Sequence, residues 1–323
     1  MWSNRIKPLL DDFNMQSSIL HEKTGKSRLL WRIKMFNSLL GLGAKPVDYV
    51  RFEFWRKSKS EKNRYMTSLR YSKLYRYLKK TVPATILKSK SGEYAYYKDF
   101  VKRNWMVVDG NTKEEEIFSF VNLYHTVIVK PDNDEQGSGI FKLKDNKPQE
   151  IKNFCQAKGA NVYVMEEVLE NDKDFAVMNE SSLNSVRATT MIDKNGNPIL
   201  LSLMLRVGKP GQIVDNWGAG GFLIDIDVKS GCVVKPALDK KNRPYISHPD
   251  TGFQFVGWHL PKLNELKEYV NKLCLVEKTA RFVGWDIAYT PNGFDLVEVN
   301  IPAGHEGVQA FNTPIYDIIQ SNW

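Results

Sequence analysis

Gly284-Trp285-Asp286-Ile287-Ala288-Tyr289-Thr290-Pro291-Asn292-Gly293-Phe294-Asp295-Leu296-Val297-Glu298-Val299-Asn300 is the stretch on which the fold turns. Two β-rich runs flank Pro291-Asn292-Gly293, which suits a type I turn followed by a left-handed glycine, so the segment reads as a hairpin with a three-residue loop. In that register Thr290 pairs with Phe294 and Asp286 lies opposite Glu298, with Asn300 two residues on along the same face. The other face carries Trp285, Ile287, Val297 and Val299 and reads as buried. Two carboxylates facing each other on neighbouring strands repel unless a cation lies between them. Together with an amide oxygen they form a hard-oxygen set suited to Mg²⁺, which keeps several waters and takes further ligands from substrate phosphates. An edge hairpin with solvated carboxylates is the plainer alternative.

Upstream lies a second hairpin, strands 186–192 and 199–207 around Asn195-Gly196. Asn-Gly between alternating strands is a strong hairpin signal. With a two-residue turn, Arg187 lies opposite Met204, and Arg206 is its diagonal neighbour on a face shared with Thr189 and Ser202. Val186, Ala188, Ile192, Leu201, Leu203 and Leu205 take the core face. Adjacent arginines repel; a shared anion such as phosphate accounts for them, as would separate carboxylate partners. A third segment, Thr126-Val127-Ile128-Val129-Lys130-Pro131, leads into a loop holding Gly137-Ser138-Gly139. A strand-end lysine followed by glycines can cradle a polyphosphate, although GxxxxGK[ST] is absent and a surface hairpin loop fits the same residues.

Around these segments the texture is mixed α/β. Short β-branched runs at 126–129, 162–165, 186–192, 199–207, 282–289 and 294–299 alternate with helical stretches at 99–105 and 113–123, the latter opening on Glu114, Glu115 and Glu116 at the positive end of its dipole. Residues 1–80 read instead as short helices. Trp31, Ile33, Met35, Phe36, Leu39 and Leu40, and again Tyr71, Leu74, Tyr75 and Leu78, recur at roughly helical spacing between Lys and Arg residues. Charge follows the same division. The chain carries net +9 over 323 residues, yet residues 1–90 hold 21 Lys and Arg against 6 Asp and Glu, and the remainder 25 against 31. The basic helices fit a solvated face, an anionic membrane surface or a polyanionic glycan; no nucleic-acid recognition pattern accompanies them. Cys155, Cys232 and Cys274 form neither a disulfide nor a zinc pattern, no apolar run approaches a membrane span, and the opening residues lack a secretion-signal core, which points to the cytoplasm.

The order of these motifs resembles the ATP-grasp superfamily and, within it, the sugar-transfer-associated ATP-grasp proteins. The likeness runs over about residues 95–312: Val129-Lys130-Pro131 and its glycine loop, Val164-Met165-Glu166-Glu167-Val168, Ser185-Val186-Arg187, Gly284-Trp285-Asp286-Ile287 and Glu298-Val299-Asn300. Asp215-Asn216-Trp217-Gly218-Ala219-Gly220-Gly221, His248-Pro249-Asp250-Thr251-Gly252 and Gln309 resemble the narrower family.

The resemblance implies an α+β fold in which two subdomains clasp ATP, here preceded by a basic helical region: residues 1–90, then 91–180, then 181–323. It implies that Lys130 and Lys98 contact nucleotide phosphates and that the backbone of Glu166, Glu167 and Val168 reads the adenine edge. Glu170, Asp172 and Asp174 are candidates for the ribose hydroxyls, with Asp174 carried forward. Arg187 resembles the arginine that neutralises the transferring phosphoryl group, and Arg206 joins it. Asp286, Glu298 and Asn300 resemble the magnesium ligands. Asn216, Trp217 and Gly220 are expected to meet the substrate, and His248 to act as acid/base or substrate contact. The implied activity is ATP-dependent joining of a carboxylate and an amine through an acyl phosphate, with an amino acid and a glycan uronic acid of a capsular or surface polysaccharide as substrates. A phosphotransferase acting on a glycan hydroxyl and a non-enzymatic binder of membrane or polyanion are the alternatives. An ATP-grasp N-terminal α/β domain of the usual size does not fit before Lys98; basic helices stand in its place.

Overall fold

A computed structural model describes residues 3–133, 140–144, 150–151, 153, 162–209, 217 and 220–323. Gly137, Ser138, Gly139 and Asn216 lie outside the described residues. The chain opens with helices α1 (Ser3–Thr24), α2 (Arg28–Leu42), α3 (Pro46–Arg51), α4 (Lys59–Asn63) and α5 (Ser68–Thr81), then α6 (Ala84–Lys88) and α7 (Lys90–Tyr96). Their boundaries follow local chemistry. The Ser27 hydroxyl accepts the Leu30 amide at the start of α2, and Gly43, at φ 67°, closes its end in the left-handed conformation that glycine adopts freely. No helix among the described residues is long and apolar enough to cross a membrane.

Two antiparallel sheets follow. The first has the order β1-β4-β2-β3, from β1 (Trp105–Val108), β2 (Thr126–Pro131), β3 (Phe141–Lys144) and β4 (Tyr163–Glu167), with helix α8 (Glu114–Tyr124) packed against β2. The second has the order β11-β10-β5-β6-β7-β8-β9, from β5 (Ser185–Ile192), β6 (Pro198–Val207), β7 (Phe222–Ile226), β8 (Ala237–Leu238), β9 (Pro244–Tyr245), β10 (Phe282–Thr290) and β11 (Gly293–Asn300). Trp285, Ile287 and Leu203 place one face of the larger sheet in the main core, where Leu78, Ile86 and Tyr94 from α5, α6 and α7 join them. Leu20, Trp31, Phe52, Phe54 and Tyr65 form a separate core for the preceding helices.

Both hairpins reach the expected pairing by a different route. In β10–β11 the pairs are Thr290–Gly293 and Tyr289–Phe294, one residue tighter than a three-residue loop gives. A bulge after Asp286 adds one residue on β11, and beyond it Asp286 faces Glu298 and Gly284 faces Asn300. In β5–β6 the shift runs the other way. Ile192 pairs with Pro198 and the Asp193 amide donates to the Asn197 carbonyl, so Lys194-Asn195-Gly196 form a longer loop. Asp193 Oδ1 accepts the amides of Asn195 and Asn197 and stabilises that loop, and a bulge at Thr189/Thr190 restores Arg187 opposite Met204.

Residues 99–105 are not helical. The Lys102 and Arg103 amides donate to Asp295 Oδ2, and the Arg103 guanidinium to Asp295 and the Leu296 carbonyl, which holds this segment along β11 and starts β1 at Trp105. In α2 the apolar residues do not form one stripe. Trp31 and Met35 are buried, whereas Ile33, Phe36 and Leu40 are exposed on another side of the helix.

Candidate active site

The two sheets and helix α5 enclose a cleft of about 1150 Å³. Asp286 stands at its base on β10, almost wholly buried between β5 and β11. Strand register places Arg187 directly opposite it. Arg187 Nε donates to Asp286 Oδ1 at 2.6 Å and Nη2 to Oδ2 at 2.5 Å, a fork matched to both carboxylate oxygens. Arg206 Nη1 adds a third bond to Oδ2 at 2.6 Å. Burial by itself pushes the Asp286 carboxyl up, but the two guanidinium groups outweigh it and hold the acid below its ordinary value. The sequence-predicted arginine pair therefore shares one buried carboxylate.

Glu298, across from Asp286, is half-buried and lies 3.6 Å from Lys90. Lys90 opens α7, 42 residues before Asp132, and Asp132 sets its position. The Asp132 carbonyl accepts the Lys90 amide at 2.9 Å, and its carboxylate accepts the Ser91 amide and hydroxyl. Lys90 and Lys130 both line the cleft. Behind Lys90, Glu93 is buried, and burial with repulsion from Glu298 drives its carboxyl well above the ordinary value; its Oε1 accepts the Val299 amide.

On the smaller sheet, Lys130 Nζ lies 2.8 Å from Glu166 Oε1. Arg103 Nε donates to Glu166 Oε2 at 2.8 Å and the Tyr94 hydroxyl to the same oxygen at 3.1 Å. Burial raises the Glu166 carboxyl, and Arg103 and Lys130 reverse this to about 2. The Glu166 side chain is thus a fixed anchor for Lys130, a role its place in the adenine segment did not foretell.

The cleft brings together Lys130, Glu166, Glu167, Val168, Arg187 and Arg206, and with them Trp217, Asp286, Glu298 and Asn300. Four expected residues lie elsewhere. Lys98 is exposed on the turn after α7, and Lys90 lines the cleft instead. Asp174 is exposed in the helix Lys173–Ala176, outside the cleft, while Glu170 and Glu180 line it. Gly220, at φ 109°, serves the chain turn, its amide bonded to the Trp217 carbonyl. His248 is fully buried and does not reach the cleft. Its Nδ1 accepts the Thr251 amide at 3.2 Å, so Nε2 carries the proton and donates to the Gly208 carbonyl at 3.1 Å. Phe222 and Phe255 pack edge-on against the ring. Both ring nitrogens are engaged in holding a turn.

Among the described residues no three His, Cys, Asp or Glu side chains form a metal cluster; the expected set holds two carboxylates and an amide. It fits a hard cation on one specific observation. Asn300 Nδ2 is buried without a hydrogen-bond partner, and exchanging the amide's O and N turns an oxygen to the same place, beside Glu298 and Asp286. Both Asp286 oxygens are taken by the arginines in this arrangement.

Two antiparallel sheets, with helices packed against them, border this cleft. The family model for sugar-transfer associated ATP-grasp matches residues 79–314, and the chain belongs to that family. Glutathione synthetase of Vibrio vulnificus strain CMCP6 is 26% identical over 200 residues, covering 59% of this chain and 55% of that one. The Vibrio parahaemolyticus enzyme is also 26% identical, over 195 residues, with coverages of 58% and 53%. The chain spans about half the length of these curated relatives. Among solved structures, D-alanyl-alanine synthetase A from Vibrio cholerae aligns at TM-score 0.43 and 12% identity, covering 72% of this chain and 60% of that one. Phosphoribosylamine–glycine ligase from Thermotoga maritima aligns at 0.45 and 14%, covering 71% and 52%.

Proposed function

We propose that the protein is an ATP-dependent carboxylate–amine ligase acting through an acyl phosphate. The observation that carries this reading is the convergence of Arg187 and Arg206 on Asp286 in one cleft, with Glu298 opposite and Lys130 on the other sheet. Phosphoryl transfer is accelerated chiefly by cations positioned in advance against the transferring oxygens. Each of these three cations is held at the cleft by a buried carboxylate, Asp286 or Glu166, and would exchange part of that pairing for phosphate oxygens when ATP binds. A substrate carboxylate oxygen attacks the γ-phosphorus of ATP, the bond to ADP breaks, and an acyl phosphate forms. An amine then attacks the acyl carbon, phosphate leaves, and the nitrogen gives up a proton as the amide forms. The sheet walls limit water, which would otherwise hydrolyse the intermediate. Asp286, Glu298 and Asn300 would hold Mg²⁺. When bound, that ion supplies charge neutralisation at the phosphate oxygens.

The substrates under this proposal are an amino acid or related amine and a uronic-acid carboxylate of a capsular or surface polysaccharide precursor, joined in the cytoplasm. The family's association with sugar transfer supports a glycan, and Tyr71, Tyr75 and Trp217 are among the residues that line the cleft. An ADP-release screen of amino acids against uronic-acid acceptors, read by mass spectrometry, tests it. An amide product supports the proposal. A phosphorylated acceptor without an amide identifies a phosphotransferase, and ADP release with no pair overturns the ligase reading.

A further inference from the structure

Helix α2 is apolar on two opposite faces. Trp31 and Met35 point into the N-terminal core. Leu29, Ile33, Phe36 and Leu40, spaced by four, three and four residues, fall on the other face and are 67%, 51%, 51% and 72% exposed. A continuous row of large exposed apolar side chains on one helix marks a contact surface rather than scattered surface hydrophobicity. Its electrostatic setting selects the partner. Residues 23–47 contain six Lys and Arg and no Asp or Glu. Lys26, just before the helix, and Lys34, which reaches over the Trp31 ring at 5.2 Å, are exposed; Arg28 and Arg32 lie beside the row, where they bond the Asn14 carbonyl and side chain on α1.

We propose that α2 docks this protein on an anionic lipid bilayer, with Leu29, Ile33, Phe36 and Leu40 in the acyl boundary and the cations at the headgroups. An apolar row bordered by cations, lying along a helix too short and too charged to span, is what an interfacial helix requires. A polyanionic glycan would satisfy the cations but offer no apolar phase for the row. A second copy of the chain, brought face to face, would set like charges against each other. The surface is independent of the ligase reading, since none of these residues lines the cleft.

The test is flotation of the full chain with vesicles of phosphatidylcholine alone and of phosphatidylcholine mixed equally with phosphatidylglycerol. The chain should float with the mixed vesicles at least about tenfold better than with the neutral ones, and less well as salt rises. Ile33→Gln combined with Phe36→Gln should weaken flotation by more than about tenfold, with the melting temperature unchanged because both side chains are exposed. Lys26→Glu with Lys34→Glu should weaken binding to the anionic vesicles selectively. Wild-type protein that ignores both vesicles would overturn the proposal. So would undiminished flotation of the Ile33/Phe36 variant, or light scattering that finds a dimer which that variant dissolves.

Discussion

Glu166→Gln isolates the buried ionic anchor beneath Lys130. The wild-type carboxyl moves from its ordinary 4.5 to about 2 on folding, with Arg103 and Lys130 overcoming the effect of burial. At ~1.4 kcal/mol per pH unit, this shift contributes roughly 3 kcal/mol to stability at neutral pH. The value agrees with the cost of about 3–5 kcal/mol for removing one partner of a buried pair. Because the folded value is depressed, the contribution is complete above pH 4.5 and is lost as the pH falls from there through about 2. Urea unfolding of wild type and variant at pH 7 and pH 3 measures it. The variant should be less stable by roughly 3 kcal/mol at pH 7, and by about half that or less at pH 3. A gap below about 1 kcal/mol at pH 7, or one equal at both pH values, would refute the assignment of Lys130 and Arg103 to a shared Glu166 charge.

Three other perturbations probe the same architecture. Glu93 has its carboxyl raised by burial and by Glu298, so its contribution is present below the ordinary value and lost as pH rises through the raised one. Glu93→Gln, neutral at every pH, should therefore raise the melting temperature more at pH 8 than at pH 5 in a scanning-calorimetry comparison; the opposite order would show that Glu93 folds ionised. Lys90→Met should raise the KM for ATP by about tenfold in an ADP-release assay if Lys90 meets nucleotide phosphates, with little change in melting temperature. Gln309 is fully buried, and its side-chain amide accepts the Met66 amide and donates to the Met66 and His305 carbonyls. Gln309→Ala should cost about 2–4 kcal/mol in urea titration, since it leaves buried backbone groups unpaired where α5 meets the body.

Strand positions and facing residues were legible because side-chain alternation and turn residues are local signals. Arg187 opposite Met204 and Asp286 opposite Glu298 both followed from turn chemistry, yet each turn differs by one residue from its expectation and a bulge compensates. Bulges are set by packing of neighbouring strands, which a hairpin sequence does not carry. Residues 99–105 look helical until Asp295, nearly two hundred residues away, takes their amides. Lys90 escaped for the same reason: nothing beside it marks a site, and its position is fixed by Asp132 across the fold. His248 looked chemical as an isolated histidine before a turn, and only the hydrogen-bond partners around its ring, the Thr251 amide and the Gly208 carbonyl, show it holding that turn. In α2 the helical period was evident, but which apolar residues would be covered depended on where α1 and α3 lie.

The most direct test is Mg²⁺-dependent ADP release by Glu298→Gln, a near-isosteric change at a half-buried side chain. A loss of about a hundredfold or more is expected, with the melting temperature held close to wild type. Near-wild-type turnover in a folded Glu298→Gln protein would contradict it.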